Sequence, residues 1–300
     1  MKKNKTLRFF VTLLIVLVIL GSLVVGGYFI LDKAVVPKYF GEYGINNMGD
    51  LVEMMGTLYN NNDESDIVTN PFRESDKVSA ENKLIGVGFP KLANGNLDYK
   101  KIAEGQFEVS SEASVELTDK ELASIVGEML NSGVLAEKLP NLRYLNTLTF
   151  TMLEVIITPD VIIGEEVDPN SAHMEFTVKI DTSSVRTQMA NEMEMPLFLL
   201  NMIVPKTLYI SVEFDLSINE GEWVYTNSSI GVNGRTSKQS EILLNLLIDF
   251  IFPPEDQMTL ERLNEEFGGV IINGLELLGN VQFTNSIYST SQNGVILTFK

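Results

Sequence analysis

The strongest constraint on this chain is an uncharged apolar stretch near the N-terminus. Phe9–Leu31 holds 23 residues without a charged side chain. A helix of that length rises about 34 Å, which is enough to cross a hydrocarbon core about 30 Å thick. Lys2, Lys3, Lys5 and Arg8 precede it, and basic residues beside a first span are retained in the cytoplasm. We therefore predict a cytoplasmic basic tail over 1–8, a single transmembrane helix over 9–31, and an extracytoplasmic location for the rest of the chain.

A cleaved signal peptide is the alternative interpretation of this stretch. Signal peptides have an apolar core of about 7–15 residues and a small-residue cleavage site. The run here is longer, and Tyr28–Asp32 lacks such a pattern, so the sequence favours an uncleaved anchor. The chain contains no cysteine. This excludes disulfides, a lipidated cysteine, thiolate catalysis and cysteine metal sites.

The charge of the chain bears on its partners. The net charge is −18, and the four basic residues of the tail leave −22 on the part after the predicted span. An acidic surface repels nucleic acid and anionic lipid headgroups. We therefore expect no nucleic-acid partner, whereas hydrophobic contact with a lipid stays open.

The region over 32–83 is predicted to connect the membrane span to a folded domain over 84–300. After a short stalk, apolar residues over Ile45–Tyr59 recur at intervals of three and four, which indicates an amphipathic helix. This helix packs on the domain, or it contacts a partner or the membrane surface. Asn60–Ser79 is polar, acidic and interrupted by Pro71, which is typical of a linker.

The remaining sequence alternates between strand and helix patterns. The predicted strands are Phe107–Leu117, Thr147–Thr158, Ala172–Asp181, Leu208–Ile218, Trp223–Val232, Val281–Thr290 and Val295–Phe299. One predicted helix begins at a capping box, Thr118–Glu121. A second covers Ser183–Val204, with a kink or break at Pro196. Two more cover Gln239–Phe252 and Thr259–Leu278. Turn residues at Asn219–Gly221 and Asn293–Gly294 indicate hairpins. We predict an α+β fold in which a curled, mostly antiparallel sheet wraps around helices.

Few residues point to chemistry. The single histidine, His173, lies on the polar face of a predicted strand, and no nucleophile-elbow, phosphate-loop or zinc-protease motif is present. The acidic turn with Asp160, Glu165, Glu166 and Asp168 is either a solvated hairpin turn or a site for a hard cation such as Ca²⁺. We predict no cofactor, no metal site and no catalytic residue, so the chain is not expected to be an enzyme.

The unusual feature is an excess of apolar residues in two helical segments, Met195–Ile203 and Ile242–Phe252. Methionine-rich surfaces accept varied apolar ligands. A curled sheet with two such helices encloses an elongated apolar cavity, unless these residues simply fill the core. The predicted cavity-lining residues are Met195, Phe198, Leu199, Met202, Leu208, Ile210, Val212, Phe214, Leu243, Leu247, Phe250 and Ile251.

Two segments resemble the YpmS-like membrane-anchored proteins of Gram-positive bacteria. They are VELTDKELASIVGEML (Val115–Leu130) and the paired strands LYISVEFDLSINEGEWVYTNSSIGV (Leu208–Val232). The resemblance covers about Phe107–Phe299 and implies a domain similar to tubular lipid-binding modules. No catalytic residues are carried over from it. The acidic segment Asn60–Ser79 and the long helical part Gln239–Leu278 depart from that pattern.

These observations predict a membrane-anchored extracytoplasmic protein that binds a lipid or another elongated apolar ligand without chemistry. The alternative is a module with a filled core that holds a protein partner in the cell envelope. An enzyme acting on cell-wall glycan through a carboxylate pair is a third hypothesis.

Overall fold

The computed structural model describes residues 28, 30–59, 64–103, 109, 113–132, 147–162, 166–192, 194–234, 238–252, 258–278, 280–287 and 292–299. The basic tail and the predicted span therefore lie outside the described residues, apart from Tyr28, Ile30 and Leu31. Among the residues described, no helix is both long and apolar enough to cross a bilayer. The chain divides between Thr57 and Leu58 into two compact units.

The described part of the first unit consists mainly of helical segments. A π-helical turn over Leu31–Val35 continues into α1 (Val36–Phe40) and a 3₁₀ turn over Gly41–Tyr43. The helix α2 (Met48–Tyr59) follows, close to the predicted Ile45–Tyr59. It begins where the Asn47 side chain accepts a hydrogen bond of 3.0 Å from the amide of Asp50.

The second unit holds the remaining elements. Its helices are α3 (Glu64–Ile67), α4 (Glu74–Gly86), α5 (Tyr99–Ala103), α6 (Asp119–Asn131), α7 (Arg186–Glu192), α8 (Leu197–Ile203), α9 (Lys238–Ile251) and α10 (Leu260–Leu278). Its strands are β1 (Ser114–Thr118), β2 (Thr149–Ile162), β3 (Glu166–Asp181), β4 (Thr207–Asn219), β5 (Glu222–Val232), β6 (Asn280–Ile287) and β7 (Gln292–Thr298).

These strands form two antiparallel sheets. One is four-stranded in the order β2-β3-β4-β5, and the other is three-stranded in the order β1-β7-β6. The predicted α+β class with antiparallel pairing is confirmed, but the prediction of one curled sheet wrapped around helices is wrong, because neither sheet is curled or closed. The long strands β2–β5 pair with their sequence neighbours, and the three shorter strands pair with each other instead of extending that sheet.

The core lies where the two sheets meet. Alternation places Met174, Phe176 and Val178 of β3 on one face, and β4 residues of similar size lie opposite them in register. Phe176 packs edge-on against Phe214 with ring centroids 5.2 Å apart. Trp223 of β5 contacts Phe283 of β6 at 6.0 Å, which joins the two sheets. This apolar face is therefore packed by side chains of the second sheet and of α6.

The helix α6 begins at the predicted capping box. The Glu121 amide donates to the Thr118 hydroxyl at 3.1 Å, and the Thr118 amide donates to the Glu121 carboxylate at 2.9 Å. Lys83 of α4 also binds this carboxylate at 2.7 Å. The sequence signal at the start of this helix is thus confirmed.

The predicted linker over Asn60–Ser79 contains two helices, α3 and the first part of α4. Its backbone is bound to the four-stranded sheet, because the amides of Thr69 and Asn70 donate to the buried carboxylate of Glu154 at 2.9 and 2.7 Å. Polar composition predicted a linker here, but the segment contains helices and two of its backbone amides bind a buried carboxylate.

Two further predictions met different outcomes. The break at Pro196 is confirmed, since it separates α7 from α8. The hairpin turn at Asn293–Gly294 is wrong, because both residues lie within β7 and Gly294 pairs with Thr284. The Asn293 amide donates to the carbonyl of Ile157 at 2.5 Å, so this side chain joins β7 to β2.

Candidate functional site

The second face of the four-stranded sheet is polar. It carries Glu154, Thr177, Ser211, Glu175 and Glu213 in adjacent registers. Residues 64–70 cover part of this face, since Glu64 binds Lys179 and the amides of Thr69 and Asn70 bind Glu154. Thr177 and Ser211 are buried on this face although their side chains are polar.

Specific contacts hold that segment on the sheet. Glu64 of α3 accepts from Lys179 at 2.8 Å and from the Tyr209 hydroxyl at 3.4 Å. The buried Asn233 accepts from the Tyr209 amide at 3.0 Å and donates to the Leu58 carbonyl at 2.7 Å. Glu64 is therefore bound to β3 and β4, and Leu58 is bound to Asn233, which directly follows β5.

A pocket of about 400 Å³ lies beside this segment. It is lined by Tyr59, Arg186, Pro205, Lys206, Thr207 and Tyr209. All six belong to the second unit: Tyr59 ends α2 beyond the unit boundary, Arg186 begins α7, and the other four lie just before or at the start of β4. The volume is within the range of about 300–1,000 Å³ that small-molecule sites occupy.

Thr182 fixes the position of Arg186. The Thr182 hydroxyl donates to the Pro205 carbonyl at 2.6 Å, and its amide donates to the Lys206 carbonyl at 2.9 Å. The Arg186 amide in turn donates to the Thr182 carbonyl at 3.2 Å. These bonds tie the start of α7 to the chain that enters β4, on the opposite wall of the pocket.

The Arg186 side chain is unusual in its environment. It is only 9% exposed, and its buried Nε has no hydrogen-bond partner among the described residues. No ion pair to this guanidinium is found among the residues that the structure describes. A buried charged donor without a partner is costly, by about 1–3 kcal/mol or more. An anion in the pocket would supply the missing partner.

Charged and titratable side chains surround Arg186. Burial raises the pKa of the Tyr59 phenol, and the nearby Arg186 charge partly opposes this shift. The exposed Lys206 provides a second positive charge at the pocket. Hydrogen bonds from Ser183 lower the pKa of the Asp181 carboxyl, and the charges of Lys179 and Lys206 contribute further.

An apolar surface adjoins the pocket through Tyr59. Its hydroxyl donates to the Asn201 carbonyl of α8 at 2.6 Å. One helical turn before Asn201, Leu197 is 41% exposed and Phe198 is 54% exposed, and Tyr59 itself is 40% exposed. We call Leu197, Phe198 and Tyr59 the α8 patch. A cationic pocket and an apolar surface thus share one side chain, that of Tyr59.

The structure distributes the predicted cavity residues over several environments. The buried ones are Met195, Leu199, Leu208, Phe214, Leu243 and Leu247, and the partly buried ones are Met202, Ile210, Val212 and Ile251. Phe198 is exposed, and the side chain of Phe250 is not among those that the structure describes. Phe214 and Val212 belong to the core between the sheets. None of these residues lines the pocket described above.

Sequence reasoning missed Arg186, Lys206 and Tyr59 as site residues. One signal was present, because Arg186 is the only basic residue of the predicted helical segment Ser183–Val204. A lone cation in an apolar segment requires either a partner or a ligand.

Two polar features singled out from the sequence lie elsewhere. His173 is partly exposed on the polar face and lies 2.8 Å from Asp215. Of the predicted acidic turn, Asp160 accepts a hydrogen bond from Ser171, and Asp168 is part of β3. Within the described part of the chain, no three acidic or histidine side chains are arranged to hold a metal ion.

Comparison of the chain with protein-family models, curated proteins and solved structures finds no match.

Proposed function

We propose that this chain is a membrane-anchored extracytoplasmic module that binds an elongated amphiphile of the lipid class without chemistry. The apolar part of the ligand lies on the α8 patch, outside the packed core. The predicted anchor over Phe9–Leu31 keeps the module beside the bilayer that supplies such ligands.

The observation that carries this proposal is the exposure of Leu197 and Phe198 beside Tyr59. Large apolar side chains that are exposed together mark surfaces for an apolar ligand or a partner. The neighbouring pocket favours a ligand, because a concave site of about 400 Å³ with a few convergent polar groups suits a small molecule.

Apolar side chains of both sheets occupy the space between them, as the alternative of a filled core predicts, so the ligand of this proposal lies on the surface and not in an enclosed cavity. The resemblance to the YpmS-like proteins and their tubular lipid-binding modules points to the same class of ligand.

The test is the dependence of affinity on acyl-chain length. Monoacylglycerols of six, eight and ten carbons are titrated into the full chain in galactolipid nanodiscs, with empty nanodiscs as the reference. Each buried methylene contributes at most about 0.8 kcal/mol. We expect affinity to rise several-fold with each two-carbon extension, up to about fifteenfold.

Matched serine variants locate the site. Phe198→Ser and Leu197→Ser remove exposed apolar surface and should abolish the chain-length dependence, whereas Leu92→Ser, at a position 46% exposed, should preserve it. Equal affinities for all chain lengths in the wild-type chain would contradict the proposal. That result would favour the alternative of an interaction module for an envelope protein.

A further inference from the structure

We infer that the Arg186 pocket binds the phosphate group of the amphiphile's head. This inference rests on the proposed function and adds the ligand's chemical class. It assigns a polar subsite to Arg186 and Lys206, next to the apolar subsite of the α8 patch.

The unpaired guanidinium is the first argument. Arg186 is nine-tenths buried, and within the part of the chain that the structure describes its Nε has no hydrogen-bond partner. Guanidinium groups present planar donors that match the oxygens of phosphate or carboxylate. The bonds from Thr182 to residues 205–206, and from the Arg186 amide to Thr182, fix the backbone from which this side chain lines the pocket.

Charge selects phosphate over carboxylate. Arg186 and Lys206 supply two positive charges, which a phosphate monoester of about two negative charges neutralises more completely than a carboxylate does. The chain as a whole carries −18, so an extended polyanion is repelled. A single phosphate avoids most of this repulsion, because charges more than about 8–10 Å away are screened at physiological salt.

The position of Tyr59 explains how both ligand parts bind at once. Its ring lines the pocket, and its hydroxyl is bound to the Asn201 carbonyl of α8. A phosphate beside Arg186 therefore places the adjoining acyl chains next to Leu197 and Phe198. The two subsites together match a phospholipid with a monoester headgroup, such as a phosphatidic acid.

The test compares three probes on the full chain in galactolipid nanodiscs and phosphate-free buffer. The probes are inorganic phosphate, dihexanoyl phosphatidic acid and dihexanoylglycerol, which has the same chains without the phosphate. Calorimetric titration should show that the phosphatidic acid binds at least about tenfold more tightly than dihexanoylglycerol. Tenfold is the minimum expected from one charge-assisted hydrogen bond. Raising the salt concentration should reduce this advantage.

Variants assign the effect to the pocket. Arg186→Gln should remove the advantage of the phosphate while the affinity for dihexanoylglycerol stays unchanged, and Arg262→Gln, at an exposed position of α10, should keep it. Lys206→Gln should reduce the advantage several-fold, and Lys91→Gln is its matched control. Because Lys206 is exposed, its variant keeps the test valid if Arg186→Gln fails to fold.

The outcomes separate this inference from the proposed function. If both lipids bind equally and Arg186→Gln changes neither, the phosphate subsite is refuted and the apolar site stands. If inorganic phosphate alone binds, and does so through Arg186, the pocket is a phosphate site and the lipid proposal is refuted. Binding of no probe refutes both.

Discussion

Two glutamates face each other across the central strands of the larger sheet. Glu175 of β3 lies opposite Glu213 of β4, and Glu154 lies on the same face. Burial raises the pKa of the Glu175 carboxyl above its ordinary value of 4.5, the charges of Glu213 and Glu154 raise it further, and His173 opposes them. The folded state therefore binds this proton more tightly than the unfolded chain does.

The sign of the pH dependence follows from this raised pKa. The contribution of Glu175 to stability is fully present below about pH 4.5, and it is lost as the pH rises through the folded-state pKa. Glu175→Gln should therefore stabilise the protein at about pH 7, by about 0.2–1 kcal/mol for relief of a directly opposed like-charge pair. Urea unfolding at several pH values measures the difference.

The control for this prediction is Glu265→Gln, at an exposed position of α10. It should leave the pH profile of stability unchanged. The assignment fails if the advantage of Glu175→Gln persists undiminished well below about pH 4, where the carboxyl is protonated in both states.

At the scale of elements, the close approach of α10 to β5 depends on a glycine. A Cβ placed on Gly268 would lie 2.5 Å from Cδ1 of Tyr225. The Tyr225 ring packs on Phe214 of the core with centroids 5.2 Å apart, so it has little room to move. The helix therefore lies on the strand at a distance that admits no side chain at this position.

Neighbouring glycines make this contact testable. Gly268→Ala should destabilise the protein by about 1–3 kcal/mol, because it overpacks the contact with Tyr225. Gly269→Ala meets nothing within 4 Å and should stabilise it by up to about 1 kcal/mol through helix propensity. Thermal unfolding compares the two, and equal shifts of the same sign would contradict the packing of α10 on β5.

At the scale of the whole molecule, the apolar N-terminal stretch is expected to determine where the protein resides. The chain has a net charge of −18, and the four basic residues before Phe9 are the only charges before the stretch. Positive charge on that side favours a cytoplasmic N-terminus. The acidic remainder gains nothing from an anionic bilayer surface, so the predicted membrane attachment depends on the apolar stretch.

Cell fractionation tests this attachment. The full chain should stay in the membrane pellet after a carbonate wash, and a chain lacking residues 1–31 should move to the supernatant. As a control, replacing Lys2, Lys3, Lys5 and Arg8 with Gln should preserve the membrane association while weakening the orientation bias, as protease protection would show. A full chain released by carbonate would refute the predicted span.

The amino-acid sequence by itself determined the features that depend on neighbouring residues. Three features could be predicted from a few neighbouring residues: the capping box at Thr118 and Glu121, the break at Pro196 and the strand pattern of β4. In each, the interacting groups lie on the same turn or strand. The α+β class and antiparallel pairing follow from these local patterns.

Only the tertiary structure decided how distant segments meet. Three features depend on residues far apart in the chain: the pairing of strands into two sheets, the hydrogen bond from Asn293 to Ile157, and the pocket of Tyr59, Arg186 and Lys206. Local patterns specify which face of an element is apolar, but not which partner covers it. That choice depends on the free energy of packing the whole core, in which many weak contacts between distant segments are satisfied together.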